Sequence, residues 1–288
     1  MIYIHRIGGY NAVLGEVRSD IKAALKAATG KVFRRTDRYI QLSMLGAHEV
    51  AENIDADTAL FMFSGEGNLS VFNRLRDQQY IDHQPPRPVD FINSLSNTAG
   101  FYVAQYLNLK GKNLFLSHHG FPAQMALILA ENDLKLKKQK QILLGGVDEL
   151  LEPVAYTKKF LGVCDDTVLG EGSNWLILRA EERGALASIE TLPEELTREA
   201  VLDFMATLDP EIQVAFGMRT DPKDITAFTQ QSRCMRFDYE SSCGYYETVP
   251  FYVLSRFVER EKGQLVFIDC FEERYRVMTL YILTPGAI

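Results

Sequence analysis

Apolar and polar positions along this chain follow two periods. Short runs dense in β-branched and aromatic residues, at 2–7, 59–63, 114–116, 141–144, 173–178, 213–216, 265–270 and 277–283, predict strands. Between them apolar residues recur three and four positions apart over 19–28, 38–51, 70–78, 95–107, 122–131, 193–207 and 246–260, the spacing of amphipathic helices. Strands interleaved with helices from end to end predict an α/β architecture. Two stretches interrupt the pattern. QPPRPVD, 84–90, carries three prolines and predicts an irregular loop. ASIETLPEELTR, 187–198, passes from a charged segment into a newly capped helix with Pro193 near its start. It predicts a joint, dividing the chain into 1–188 and 189–288.

NLFLSHHGFPAQMAL, 113–127, reads as a short strand, a sharp corner at Gly120 and the first turns of a helix. Backbone turned from strand to helix in so few residues tends toward strained dihedrals, which glycine relieves because it has no Cβ. Pro122 suits a first helical turn, where its missing N–H costs nothing. A side chain at 120 would face the positive helix N-terminus, where a thiol is biased toward thiolate. Glycine supplies no such atom.

The run GKNLFLSHHGFPAQMAL resembles the nucleophile region of β-ketoacyl synthases in the thiolase-like superfamily, with Gly120 in the place of the catalytic cysteine. Other segments follow in that family's order. DRYIQLSMLGAHEVA (37–51) resembles its Asp-Arg helix, FSGEGNLSVF (63–72) its Ser-Gly-x-Gly turn, and INSLSNTAGFYVAQYLNLKGKN (92–113) its Asn-containing helix. LLGGVDE (143–149) and VLGEGSNWLIL (168–178) are similar to its Gly-Gly-x-x-Glu and Gly-Glu-Gly segments. In the second half, VAFGMRTDPKD (214–224) puts Phe216 where the family has a histidine. ESSCGYYETV (240–249) puts Glu240 for its lysine and Tyr245 for its second histidine, and IDCFEERY (268–275) stands in place of its gating loop.

The resemblance implies a thiolase-like layered α-β-α-β-α fold of two related halves with shortened loops, and no cofactor. It also implies a degenerate catalytic set. Condensation needs a thiolate and hydrogen-bond donors, and Gly120 and Phe216 offer neither. Subunits of this superfamily without the cysteine act as chain-length factors paired with an active ketosynthase, in aryl polyene, type II polyketide or fatty-acid synthesis. On that reading Glu66, Ser70 and Asn73 lie along the acyl tunnel, Phe91 and Leu95 reach into the partner, and His119 and Phe121 flank the corner at the interface. A residual thiolase-type acyltransferase using Cys243 or Cys270, or a homodimeric scaffold, are the alternative expectations.

Composition narrows the partners. A net charge of −7 argues against a general nucleic-acid binder, since phosphate neutralisation needs a basic field. No apolar run approaches the ~18 residues of a spanning helix, and the N-terminus has no secretory pattern, so no membrane is implied and a cytoplasmic location is expected. Cys164, Cys234, Cys243 and Cys270 lack C-x-x-C spacing, which predicts free thiols rather than a zinc site or disulfides. His118 and His119, adjacent on a strand, point to opposite faces and cannot readily share a metal. SGEGN and GEGSN lack the lysine of a phosphate loop and read as tight turns. KLKKQK, with Lys135, Lys137, Lys138 and Lys140, closes the helix after the corner. It complements the helix dipole and is the candidate docking patch for an acidic acyl carrier protein.

Overall fold

In the computed structural model, which describes residues 1–13, 20–260 and 262–283, every strand and helix predicted from the apolar pattern forms. Ser19, the first residue of the predicted helix 19–28, lies outside the described residues. The chain runs β1 (Ile2–Val13), α1 (Ile21–Thr29), α2 (Arg38–Val50), β2 (Ala59–Ser64), α3 (Leu69–Tyr80), α4 (Pro88–Asn93), α5 (Thr98–Leu107) and β3 (Asn113–Ser117). It continues through α6 (Pro122–Lys135), β4 (Gln141–Asp148), α7 (Val154–Leu161) and β5 (Gly170–Arg179). A second series follows: β6 (Ala187–Thr191), α8 (Arg198–Ala206), β7 (Gln213–Phe216), α9 (Pro222–Ser232), β8 (Met235–Arg236), α10 (Pro250–Val258), β9 (Gln264–Phe271) and β10 (Arg274–Ile282).

The strands join in the order β3-β2-β4-β5-β1-β6-β10-β9-β7-β8. That order is a duplication. β2 lies parallel to β3 and β4, β4 is antiparallel to β5, and β5 is antiparallel to β1. β7 lies parallel to β8 and β9, β9 is antiparallel to β10, and β10 is antiparallel to β6. Five strands are therefore wired identically twice, and the copies meet where β1 pairs antiparallel with β6. The repeat turns over between Arg179 and Ala187, so residue 188, the predicted joint, sits inside β6.

The period-2 alternation of the strands sorts their side chains into layers. Phe61 and Phe63 of β2, Leu144 of β4 and Leu176 of β5 point to a central core, whereas Leu60, Met62, Leu143 and Trp175 point to the side covered by α1, α2 and α5. In the second series Leu265 and Phe267 face the same central core, and Val266 and Ile268 face α8 and α9. α6 and α10 fill the middle layer with Ala126, Leu127, Phe251 and Leu254, giving an α-β-α-β-α stack. This is the thiolase-like fold. Among the described residues no helix is long and apolar enough to cross a membrane.

Several elements depart from the sequence reading: α7, α9 and β8 are additional to the predicted elements, the predicted helix 193–207 starts only at Arg198, and three further departures have a visible cause. The proline-rich loop gives way to α4, because Pro88 occupies the first helical turn, where no N–H is required, and Asp90 favours the helix N-terminus. The joint is itself the strand β6, whose ladders to β1 and β10 override the turn-like composition around Pro193. The predicted helix 246–260 starts only at Pro250, since the Thr248 N–H is taken by the Asp148 carboxylate at 2.8 Å.

Candidate functional site

The corner between β3 and α6 is where the sequence reading centres the candidate site. Gly120 there has φ +101°, a conformation L side chains rarely adopt. The space a side chain would need is taken as well. A Cβ on Gly120 would lie 2.7 Å from Cδ1 of Phe271, the last residue of β9. The Phe271 ring is held in place edge-on by His119 at 4.8 Å and Phe121 at 6.2 Å between centroids, and the Arg219 guanidinium covers it at 4.9 Å.

Arg219, on the loop after β7, is the centre of the site. Its side chain is 7% exposed, donates to the Gly120 carbonyl and lies 3.5 Å from a carboxylate oxygen of Glu247. Glu247 is fully buried, and His119 Nδ1 lies 3.4 Å from it. Around this pair stand further carboxylates. Asp148 accepts from Ser64 Oγ at 2.5 Å, Gly65 N–H at 3.1 Å and Thr248 N–H at 2.8 Å. Asp269 accepts from Gln124 Nε2 and Cys270 N–H, both at 3.0 Å. Glu66 buries Oε2 without a hydrogen-bond partner.

Burial sets the protonation of these four acids, with Arg219 opposing it at Glu247 and Asp269. Burial, then the charge of Asp148, pushes Glu247 up to about 7, with Arg219 opposing the shift. Burial, then Asp148 and Glu247, pushes Glu66 up to about 9, so Glu66 is a neutral acid at pH 7. Burial also raises Asp148 and Asp269. His119 is held below its ordinary value by burial and by Arg219. Burial beside other carboxylates keeps the proton on Glu66.

The other matched residues divide. Tyr245 joins the site, buried with its hydroxyl unpartnered and its ring 5.9 Å from the Arg219 guanidinium. Phe216 does not. Its side chain turns to the outer layer and stacks on Phe228 at 6.2 Å, because on β7 it shares a face with Val214. Glu240 sits on a surface 3-10 turn and pairs with Arg236 at 2.5 Å, away from the corner. Ser70 donates to Glu149. Phe121 is buried and packs inward on Phe271, so it is a core residue rather than an interface residue. Half-buried Asn73 and exposed Phe91 and Leu95 lie on and beside α3 and α4.

The two cysteines nearest the site are poor nucleophiles. Burial pushes Cys243 up to about 12 and Cys270 up to about 11, so both stay thiols at neutral pH. Cys270 borders a cleft of about 420 Å³ together with His119, Arg219, Phe271, Glu272 and Glu273. Glu272 and Glu273 form the β9–β10 turn, and both hold positive φ, at 48° and 59°. Sequence reading missed Arg219 and Glu247. Each lies a few residues from a motif position, and only the chain's path at the strand ends turns them inward.

No protein-family model matches the chain, and no curated protein matches it. Solved structures do. The ishigamide ketosynthase/chain length factor aligns with a TM-score of 0.71 at 16% identity, over 90% of this chain and 85% of that one. A β-ketoacyl synthase from Burkholderia phymatum STM815 aligns with a TM-score of 0.65 at 14% identity, over 98% and 99% of the two chains. A ketosynthase (ApeO) in complex with its chain length factor (ApeC) from Xenorhabdus doucetiae gives 0.55 at 10% identity, over 96% and 98%. The chain thus has the fold of ketosynthases and chain-length factors, in agreement with the strand wiring.

Proposed function

We propose that this chain is a non-catalytic ketosynthase-like subunit, a chain-length factor that pairs with an active β-ketoacyl synthase in carrier-protein-dependent polyketide or aryl polyene synthesis. The observation that carries the reading is the closed corner. Where the family's cysteine would stand, the backbone is at φ +101° and the Phe271 ring fills the side-chain space. Covalent catalysis there has neither an atom nor room for one. The raised thiols of Cys243 and Cys270 weigh against a displaced nucleophile.

Pairing is supported by the surface beside the corner. Among the described residues β3 is an edge strand paired with β2 on one side and with no strand on the other. Next to it, α3, α4 and α5 carry Phe72, Phe91, Ile92, Leu95 and Phe101 on the loop and helix surfaces, each half exposed or more. Such a concentration of large apolar side chains marks an interaction face. A ketosynthase in complex with its chain length factor stands among the similar structures, which supports a ketosynthase as the partner.

The test is co-expression with a candidate ketosynthase followed by size-exclusion chromatography and a condensation assay with malonylated carrier protein. A stable heterodimer that condenses, with the isolated chain inactive, is expected. Phe91→Glu and Leu95→Glu together should abolish pairing. Turnover by the lone chain, or a covalent acyl adduct on Cys243 or Cys270 by mass spectrometry, would refute the reading.

A further inference from the structure

A polar hollow of about 200 Å³ lies far from the corner, between His5 and Arg6 of β1, Ile177 and Arg179 of β5, Gln141 of β4 and Asn53 just after α2. Gln141 opens β4 and Asp148 closes it, so roughly 23 Å of strand separates the hollow from the acids of the corner. No acidic side chain lines the hollow, in a chain whose net charge is −7.

The strand register explains the grouping. Tyr3 and Ile4 pair with Arg179 and Leu178, and then Arg6, not His5, pairs with Ile177, so His5 is an extra residue in β1. Side chains alternate along a strand. Without that bulge His5 would stand opposite Ile177, and Arg6 would point to the other face. The bulge brings Arg6 to the face of Ile177 and Arg179, and Gln141 stands opposite Arg179 on the next strand. Bulges recur where a side chain is re-aimed at a site. Part of each arginine is spent on the fold. Arg6 Nη1 donates to the Val50 carbonyl at 3.3 Å and to the Glu52 carbonyl. Arg179 Nε donates to Gln141 Oε1 at 2.6 Å, and Gln141 Nε2 is anchored on Thr58 Oγ1 at 2.9 Å. Among the described residues Arg6 Nε and Nη2 and both terminal nitrogens of Arg179 form no hydrogen bond, and neither guanidinium pairs with a carboxylate, in contrast to Arg38 on Glu171. A bulge that only capped α2 would use one nitrogen of Arg6 and nothing of Arg179.

We infer that this hollow binds a phosphate dianion, either the free ion or the phosphate of a small monoester, between Arg6 and Arg179. Two half-buried guanidiniums on neighbouring strands offer it separate sets of N–H donors. One guanidinium fork satisfies a planar carboxylate, whereas a tetrahedral oxyanion keeps acceptor oxygens for the second, and its two charges match the two cations. The hollow is several times the share of about 30 Å³ that one water takes in the liquid, which leaves room for phosphate and a short ester group. It falls below the roughly 300 Å³ at which pockets for larger ligands begin, so a small ligand fits best. The site does not depend on the proposed pairing with a ketosynthase.

The experiment treats the full chain with phenylglyoxal, an arginine-specific dicarbonyl, in phosphate-free buffer and maps the adducts by mass spectrometry. Inorganic phosphate, glycerol 3-phosphate and succinate are compared as protectants, and calorimetric titration gives their affinities. Near saturation either phosphate should slow modification of Arg6 and Arg179 roughly fivefold or more, while exposed Arg34 and Arg87 react at an unchanged rate. Succinate, a dianion of planar carboxylates, should bind roughly tenfold more weakly. Arg6→Lys and Arg179→Lys keep the charge and lose the fork, so each should weaken phosphate binding roughly tenfold. The protection pattern is read on the unaltered chain and does not depend on how the variants fold. Tighter binding of glycerol 3-phosphate than of inorganic phosphate assigns the site to a monoester, and the reverse assigns it to the free ion. Absence of saturable binding, protection spread evenly over the exposed arginines, or succinate binding as tightly as phosphate overturns the inference. So does phosphate binding that is unaltered in both lysine variants.

Discussion

Substituting Gly120 by alanine isolates the physical claim that the corner is closed. Two costs combine. A non-glycine residue at positive φ loses about 1–2 kcal/mol against its preferred conformations. A Cβ 2.7 Å from Phe271 Cδ1 lies within van der Waals contact, and the ring is pinned between His119, Phe121 and Arg219, so its retreat carries the overpacking cost of about 1–3 kcal/mol. Gly120→Ala should therefore destabilise the chain by about 2–5 kcal/mol, read as a lower urea midpoint at unchanged slope. The second arm separates the two costs. In Gly120→Ala/Phe271→Ala the clash is gone while the backbone cost remains, so the double variant should be more stable than additivity predicts by about 1–3 kcal/mol. A Gly120→Ala midpoint within about 0.5 kcal/mol of the parent, or strict additivity, would show an open corner and remove the main support for the non-catalytic reading.

The β9–β10 turn gives a second prediction. Replacing Glu272–Glu273 by Asn-Gly should stabilise the chain by about 1 kcal/mol or more in thermal unfolding, because both positions hold positive φ that these residues tolerate. The acids predict a pH response. Glu247 and Glu66 are raised to about 7 and about 9 in the folded chain, so the unfolded chain releases these protons first as pH rises from about 4.5. Stability should fall through that window, Glu66→Gln should flatten its upper part above pH 7, and denaturation midpoints at pH 5, 7 and 9 check both. Thiol labelling at pH 8 should modify exposed Cys164 alone in the native chain and all four cysteines in denaturant, since Cys234, Cys243 and Cys270 are buried. A second cysteine labelling as fast as Cys164 would contradict the buried assignment.

Legibility followed the physics of each signal. Helices such as α1 were readable because one face is apolar and burial enforces the period, and strands such as β7 because a short apolar run is buried on both sides. α9 was missed behind Pro222, and α4 behind the proline cluster, although proline at the first helical turn begins a helix as readily as it ends one. β6 is five residues long and is a strand only because β1 and β10 flank it, a non-local cause that a window of sequence does not contain. The site divided in the same way. Gly120 was legible from its corner composition, and the structure adds the strained φ. Phe216 and Glu240 were placed by counting along motifs, and counting does not fix which way a side chain faces.

The duplicated wiring explains why the groups that close the corner come from the far end of the sequence. α6 and α10 follow the third strand of their respective repeats, and both begin with proline in the central layer, so the N-terminus of each approaches strand ends of the other copy. Gly120 belongs to the first repeat, whereas Arg219, Glu247 and Phe271 belong to the second. The guanidinium that bonds the Gly120 carbonyl and the ring that fills its side-chain space are therefore contacts between repeats. These contacts make the corner a clasp between the two copies. If so, Arg219→Met should weaken the chain more than loss of one exposed ion pair, by about 3–5 kcal/mol, because it leaves Glu247 buried without its cation. Adding Glu247→Gln should recover part of that loss by removing the stranded charge. A double variant no more stable than Arg219→Met alone would mean that the carboxylate is already neutral and that the clasp is held by packing on Phe271.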